Sequence, residues 1–342
     1  MFDAGFELEF ERHSDVLEDG FAVSEHAKVS SKFTINDIAI AAPEGWCGVL
    51  GAKLPSGTEI NLRLTGKQDA PVIAVLGGIS SSRFVANTSD NEGWWPQIAG
   101  VGAAIDLNAF RVAGFDFVAG DGETPLDLTP ADEAALFAYA LSEAGVDCLH
   151  TFVGASFGGM VALSFARQFP VRVDKLVVVC AAHRPSPMAQ AWRTVQRQVL
   201  SFAIENGHPE EGVALARSLA MTTYRTASEF DKRFSCSERA DGGVADYLSA
   251  RGDAYVNQTT AARYLTLSNA IDRHFENPEE VMIPALIIGA DSDQIVPFKD
   301  VEELAERFGG KADLVRISSL YGHDAFLKET AVIAPHIHNF IS

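Results

Sequence analysis

Short apolar runs alternate with stretches of helical spacing along the first half of the chain. Residues 58–65 alternate, with Ile60, Leu62 and Leu64 on one side, and predict a strand. Runs at 71–76 and 110–117 predict buried strands; the first leads into Gly77-Gly78-Ile79-Ser80, the second into Ala119-Gly120-Asp121-Gly122. Residues 130–144 carry Ala134, Leu136, Phe137, Ala140 and Leu141 at helical spacing, with Asp132 and Glu133 suited to a first turn. A strand at 149–153, a helix at 157–168 and a strand at 175–180 follow. This alternation predicts an α/β fold with a mostly parallel sheet covered on both faces. It stops at about His183 and resumes at Pro284. The segment between reads as helices at 188–204, 212–221, 228–234, 244–258 and 261–275. Further on come strands at 281–288 and 313–318 and a terminal helix holding His336 and His338. Residues 1–30 have no clear period and read as an extension. The expected division is that extension, a core of 31–183 and 279–342, and a helical insertion, 184–278, forming a lid over the site.

The chemistry centres on Val153-Gly-Ala-Ser-Phe-Gly-Gly-Met160. Gly-x-Ser-x-Gly is common in loops, but here a predicted strand precedes it and a helix follows. That is the setting of a nucleophile elbow, in which a sharp reversal exposes the serine, here Ser156. Gly154 and Gly158 leave room for strand and helix to approach. In such sites the orienting acid and the base follow the serine in that order. Asp291 and Asp293 compete for the acid, both in the loop after the 281–288 strand. Asp293 is preferred because Asp-x-Ile-Val-Pro, here Asp293-Gln-Ile-Val-Pro297, is the pattern associated with this loop in α/β-hydrolases. His323, in a Gly-containing loop after the 313–318 strand, is the expected base. The oxyanion of acyl chemistry needs backbone donors. Phe157 N–H follows the nucleophile, and Ile79 N–H in the early Gly-Gly loop is the second candidate.

Composition narrows the partners. A chain of 342 residues that is 47% hydrophobic can bury one large core plus an insertion. The net charge of −19 disfavours nucleic acid and anionic membranes. The deficit lies outside 184–278, where eleven Lys/Arg balance eleven acids. No apolar run is long enough to span a bilayer, and the acidic start is unlike a secretory signal. Cys47, Cys148, Cys180 and Cys236 lack metal-ligand spacing. Cys148 and Cys180 are expected in core strands, and a reduced, cytoplasmic protein without metal is the default.

With these residues placed, the sequence resembles the homoserine O-acyltransferases, a family of α/β-hydrolase fold. The resemblance runs from about residue 60 to the end. It rests on Leu76-Gly-Gly-Ile-Ser80, Gly93-Trp-Trp95, Gly114-Phe-Asp116, the elbow, Ala181-Ala-His-Arg-Pro-Ser-Pro-Met188, Ala191-Trp-Arg-Thr-Val-Gln-Arg197, Thr223-Tyr-Arg225 and Gly322-His-Asp-Ala-Phe-Leu327. The Gly-Gly-Ile-Ser and Ala-His-Arg-Pro-x-Pro-Met forms look like the branch labelled homoserine O-succinyltransferase. The acetyltransferase branch has His-x-Leu-Thr-Gly and a longer segment before the helix preceding the elbow. The resemblance implies a triad of Ser156, Asp293 and His323 that moves an acyl group from acyl-CoA, succinyl-CoA favoured, to L-homoserine in methionine biosynthesis. It implies no cofactor and leaves room for a homodimer. Arg197 is the expected anchor of the acceptor carboxylate, Asp324 the partner of its ammonium, and Tyr224 a wall of the entrance. The alternatives are acetyl-CoA as donor, serine as acceptor, and transfer to water by an esterase or thioesterase.

Overall fold

The computed structural model describes residues 33–119, 124–234 and 243–342. The expected extension, the end of the Ala119-Gly120-Asp121-Gly122 loop, Cys236 and Arg239 lie outside the described residues. In chain order the strands are β1 (Thr34–Ala41), β2 (Glu59–Gly66), β3 (Val72–Leu76), β4 (Ala99–Gly100), β5 (Ile105–Asp106), β6 (Arg111–Phe115), β7 (Thr151–Ala155), β8 (Leu176–Val179), β9 (Ala285–Ala290) and β10 (Ala312–Ile317). Eight of them form one sheet in the order β1-β2-β6-β3-β7-β8-β9-β10; β4 and β5 pair separately. β1–β2 and β2–β6 are antiparallel, and every pairing from β6 to β10 is parallel.

Parallel strands are buried on both faces, so their side chains alternate between two apolar layers. In β3, Ile73 and Val75 join one layer with Trp95, Val153 and Ile288. Ala74 and Leu76 join the other with Phe115, Phe137, Phe152 and Phe165. β2, although antiparallel to both its neighbours, is also covered on both faces and departs from the half-exposed alternation its sequence predicts. Arg63 and Thr65 are buried as well as Leu62 and Leu64. Arg63 is tolerated there because Asp37 of β1, at 2.5 Å, and Asp90, at 2.7 Å, neutralise it. β1 has no counterpart in the sequence reading: Asn36 and Asp37 break its apolar alternation, and it forms the half-exposed edge. The 281–288 run pairs only from Ala285 onward. Pro284 has no N–H and serves only as an acceptor, from Leu176 N at 2.9 Å. Cys148 is a correction: it is exposed, outside the strand expected to hold it, because β7 begins at Thr151. Cys180 is buried.

The helices are α1 (Pro130–Glu143), α2 (Phe157–Gln168), α3 (Pro187–Glu205), α4 (Pro209–Tyr224), α5 (Ala227–Phe234), α6 (Val244–Val256), α7 (Ala261–Asp272), α8 (Phe298–Glu306), α9 (Ala325–Lys328) and α10 (Thr330–Ile341). α1 opens with a capping box in which Thr129 and Asp132 bond each other's backbone. α3 to α7 are all inserted between β8 and β9.

The turn from β7 into α2 leaves no room for a Cβ. A Cβ on Gly154 would lie 2.3 Å from Gly158 O, and one on Gly158 would lie 2.3 Å from Leu76 O. Backbone occupies both spaces, so neither clash can be relieved by a side-chain rotation. Gly154→Ala is therefore expected to cost about 2–4 kcal/mol of stability, as severe overpacking does. Gly207→Ala, where nothing lies within 4 Å but φ is +82°, should cost about 1 kcal/mol. Chemical denaturation of the two variants measures the difference.

Candidate active site

Ser156 sits at the carboxyl end of β7 with φ 53° and ψ −120°. A non-glycine residue in this region is strained by about 1–3 kcal/mol, and the strain persists only when the surroundings enforce it. Here they do. Ser156 N–H donates to Val179 O at 2.9 Å, and Gly158 N–H donates to Gly77 O at 2.8 Å. The second bond ties the Gly-Gly loop to the first turn of α2. A Cβ on Gly78 would lie 3.9 Å from Ser156 Oγ, so this loop passes beside the serine. Among the described residues, neither Ile79 N–H nor Phe157 N–H has a protein acceptor. These are the two donors expected for an oxyanion, and α2 directs the positive end of its dipole to the same place.

His323 lies in the turn Gly322–Asp324 that follows β10. Its Nε2 is 2.8 Å from Ser156 Oγ and its Nδ1 is 2.7 Å from Asp293 Oδ2. Asp293 is fully buried, and its Oδ1 accepts from Ile295 N at 2.8 Å and Val296 N at 2.9 Å. With three bonds held by one carboxylate, Nδ1 carries the proton and Nε2 is left to accept from the serine hydroxyl. Asp291 is exposed and accepts from Ser319 N at 3.3 Å instead. Burial pulls the His323 pKa down, but the charge and hydrogen bond of Asp293, with help from Asp324, outweigh it and hold the pKa above 6.5. The Tyr224 and Phe326 rings flank the imidazole at 5.7 and 5.9 Å. Of the remaining histidines in the expected terminal helix, His336 is exposed and His338 approaches Ala104 O at 3.3 Å, away from this cluster.

The serine, the histidine and the two free N–H groups open into a cavity of about 1200 Å³. Its other wall is built from the inserted helices and includes Arg193, Gln196, Arg217, Tyr224 and Tyr264. Asp324 lines it too, with Oδ2 bonded to Arg225 Nε at 2.6 Å. Arg197 does not line it. Its guanidinium is turned to Asp272, at 2.7 Å, and to Ser268 O and Oγ, at 3.1 and 3.0 Å. Arg217 does face the cavity. It lies over the rings of Tyr224 and Tyr255, 5.5 and 4.6 Å from their centroids, and forms no ion pair with a carboxylate of the described residues. Sequence reading counts Arg193 and Arg217 among the cations of the insertion without giving either a role. A signal for Arg193 exists, since the buried stripe of α3 runs Ala189, Arg193, Gln196, Leu200, Ala203. Two polar side chains inside an apolar helical stripe call for a partner.

This arrangement can activate a serine oxygen, stabilise a tetrahedral oxyanion and hold a polar substrate away from bulk water. A model of the alpha/beta hydrolase fold matches residues 72–330. The homoserine O-succinyltransferase of Xanthomonas campestris pv. campestris is 38% identical over 301 residues, covering 84% of this chain and 82% of the relative. This chain belongs to the homoserine O-acyltransferase family of α/β-hydrolases. Within that family it is also similar to the homoserine O-acetyltransferase of Thermus thermophilus, at 31% identity over 349 residues, 87% of this chain and 89% of that one. Among solved structures, esterase E22 superposes with a TM-score of 0.79 over 91% of this chain and 100% of its own, at 18% identity, a likeness of fold. Like those relatives, the chain is an enzyme.

Only a neutral imidazole can take the serine proton. The rate should therefore climb with pH through a midpoint above 6.5, since the raised pKa keeps His323 protonated further into the neutral range. Asp293→Asn is expected to lower that midpoint and to cut kcat by about 10³–10⁴. Asp291→Asn should leave both near their starting values. A pH profile of kcat/KM for the three proteins reads these outcomes.

Proposed function

We propose that this enzyme transfers the acyl group of an acyl-CoA, succinyl-CoA by preference, to the hydroxyl of L-homoserine by way of an ester on Ser156, as a step of methionine biosynthesis. Ser156 Oγ gives its proton to His323 Nε2 and attacks the thioester carbonyl. Ile79 and Phe157 N–H hold the oxyanion. The intermediate collapses, the departing sulfur takes the proton from His323, and CoA leaves as the thiol. The homoserine hydroxyl then gives its proton to His323 and attacks the acyl ester. That second intermediate releases Ser156 Oγ, which recovers the proton, and O-acylhomoserine departs. Residues 184–278 act as the lid that keeps water from competing. No cofactor is needed, and the enzyme works in the cytoplasm, as a homodimer in this reading.

The observation that carries the proposal is Arg217. A cavity for water as acceptor needs no cation in its wall, whereas an amino-acid acceptor brings a carboxylate. Arg217 offers a guanidinium that no carboxylate of the described residues pairs with, set over two tyrosine rings. It replaces Arg197, whose donors are already spent on Asp272 and Ser268. Asp324, beside the base, takes the acceptor's ammonium, and Tyr224 closes the same side. The names of the relatives, homoserine O-succinyltransferase and O-acetyltransferase, support the reaction class, and the 38% relative supports succinyl-CoA.

Purified protein offered succinyl-CoA or acetyl-CoA, with homoserine, serine or water as acceptor, should be fastest with succinyl-CoA and homoserine. Fastest turnover with water would make it a hydrolase. Arg217→Ala should raise KM for homoserine about ten- to a hundredfold, the size of a lost charge-assisted contact. The burst of CoA release without acceptor should persist. Loss of that burst would remove Arg217 from acceptor binding.

A further inference from the structure

Two tryptophans stand side by side between the loop that carries Ile79 and the turn that carries His323. The rings of Trp94 and Trp95 stack at 5.1 Å, with 12° between their planes. Their backbone is tied down on both sides. Trp94 N–H donates to Phe84 O and Trp95 N–H to Val85 O, both at 3.0 Å, and Trp95 O accepts from Ile98 N and Ala99 N, also at 3.0 Å. A Cβ on Gly93 would lie 2.3 Å from Val85 O, so only glycine lets the chain close just before the pair.

Trp94 holds the Ile79 loop on both sides of Ile79. Its Nε1 donates to Ser82 O at 3.1 Å, and its Cη2 lies so near Gly77 that a Cβ there would stand 2.7 Å from it. Trp95 is fully buried and serves the base. Its Nε1 donates to Phe326 O at 3.0 Å, and its ring meets the Phe326 ring edge-on at 6.4 Å. The Phe326 ring in turn stands 5.9 Å from the imidazole of His323. Gly77, Trp94, Trp95, Phe326 and His323 thus form one chain of contacts from the oxyanion loop to the base. Aliphatic side chains could fill the same space. The indoles add direction, since each N–H fixes a backbone carbonyl on an element that bears a proposed reacting group. An oxyanion donor and a base serve one tetrahedral centre, and such groups must be held to within about 0.5 Å.

We infer that Trp94 and Trp95 are positioning residues that set the Ile79 donor and the His323 base at a fixed separation about Ser156. This rests on the acyl-serine reading of the site.

The test pairs a mimic of the tetrahedral intermediate with CoA release in the absence of acceptor. An alkylboronic acid forms a tetrahedral adduct on a reactive serine and places an oxygen in the oxyanion site, whereas half-saturation by succinyl-CoA reports the ground state. Trp94→Phe loses both contacts with the loop. It should weaken boronate inhibition and slow the maximal rate of CoA release by similar factors, about ten- to a hundredfold, the size of a small misplacement of reacting groups. Half-saturation by succinyl-CoA should stay within about twofold of wild type. Trp95→Phe, which leaves Phe326 O without its donor, should slow the same maximal rate about tenfold or more, again with half-saturation little changed. Variants that lose only thermal stability, or only affinity for succinyl-CoA, would reduce the pair to packing or to a binding surface and overturn the inference. If Trp95→Phe does not fold, Trp94→Phe decides it on the same two measurements. Absence of any CoA release by the wild-type protein would instead sink the acyl-transfer reading; boronate inhibition of wild type and Trp94→Phe then still decides whether the pair sets the oxyanion site.

Discussion

The backbone of Ser156 is held at φ 53°, and the rest of the site follows from that constraint. A reversal this sharp brings Gly154 and Gly158 to a separation that admits no Cβ and draws the Gly77-Gly78 loop onto α2. The same geometry points Phe157 N–H and Ile79 N–H outward without acceptors. Strain at one residue thus positions the proposed nucleophile and both proposed oxyanion donors. The core sheet meets its cost through the bonds of Ser156 and Gly158 to Val179 and Gly77, with β7 fixed between β3 and β8. Catalytic surfaces that are prepared before substrate arrives lower the reorganisation required in the transition state.

Two of the contacts that fasten the inserted helices to this core fall on the turn that carries His323 and on the helix that follows Ser156. At one, the end of α4 packs on the His323 turn: a Cβ on Gly322 would meet Tyr224 O at 2.6 Å, Thr226 Oγ1 donates to Leu320 O at 2.6 Å, and Arg225 pairs with Asp324. At the other, the two ends of the insertion meet. Glu276 N–H donates to His183 O at 2.9 Å, and the Glu276 carboxylate accepts from Ser164 at 2.5 Å and pairs with Arg167, both on the nucleophile helix. His274, packed at the same junction against Ala182 O, is held neutral by burial, its pKa lowered to about 3. The insertion is therefore tied to the helix that follows Ser156 and to the turn that carries His323, which suits the lid role proposed for it.

Much of this is legible in the sequence where chemistry is local. Ser156 is marked by a short motif between a strand and a helix, and Asp293 and His323 by their order and by loops just past strand ends. The strands of the parallel sheet are found because burial on both faces makes them continuous apolar runs. What escapes is what depends on facing. β1 is an edge strand whose polar Asp37 serves Arg63 and Arg83, so its alternation is broken. Arg193 and Arg197 are one turn apart on α3 and share Asp272, and the sequence alone does not tell which one meets the cavity and which one Ser268 captures. Arg217 is distinguished by its place in the cavity wall and by having no carboxylate partner among the described residues, both properties of the folded neighbourhood.

The proposed mechanism requires an ester formed at Ser156 before the acceptor reacts. Protein mixed with succinyl-CoA alone and quenched in acid should carry a single succinyl group, located by peptide mass spectrometry to the segment containing Ser156. Addition of L-homoserine before the quench should erase it and yield O-succinylhomoserine. Product formed by a protein that never carries the adduct, or an adduct on another residue that homoserine discharges, would contradict it.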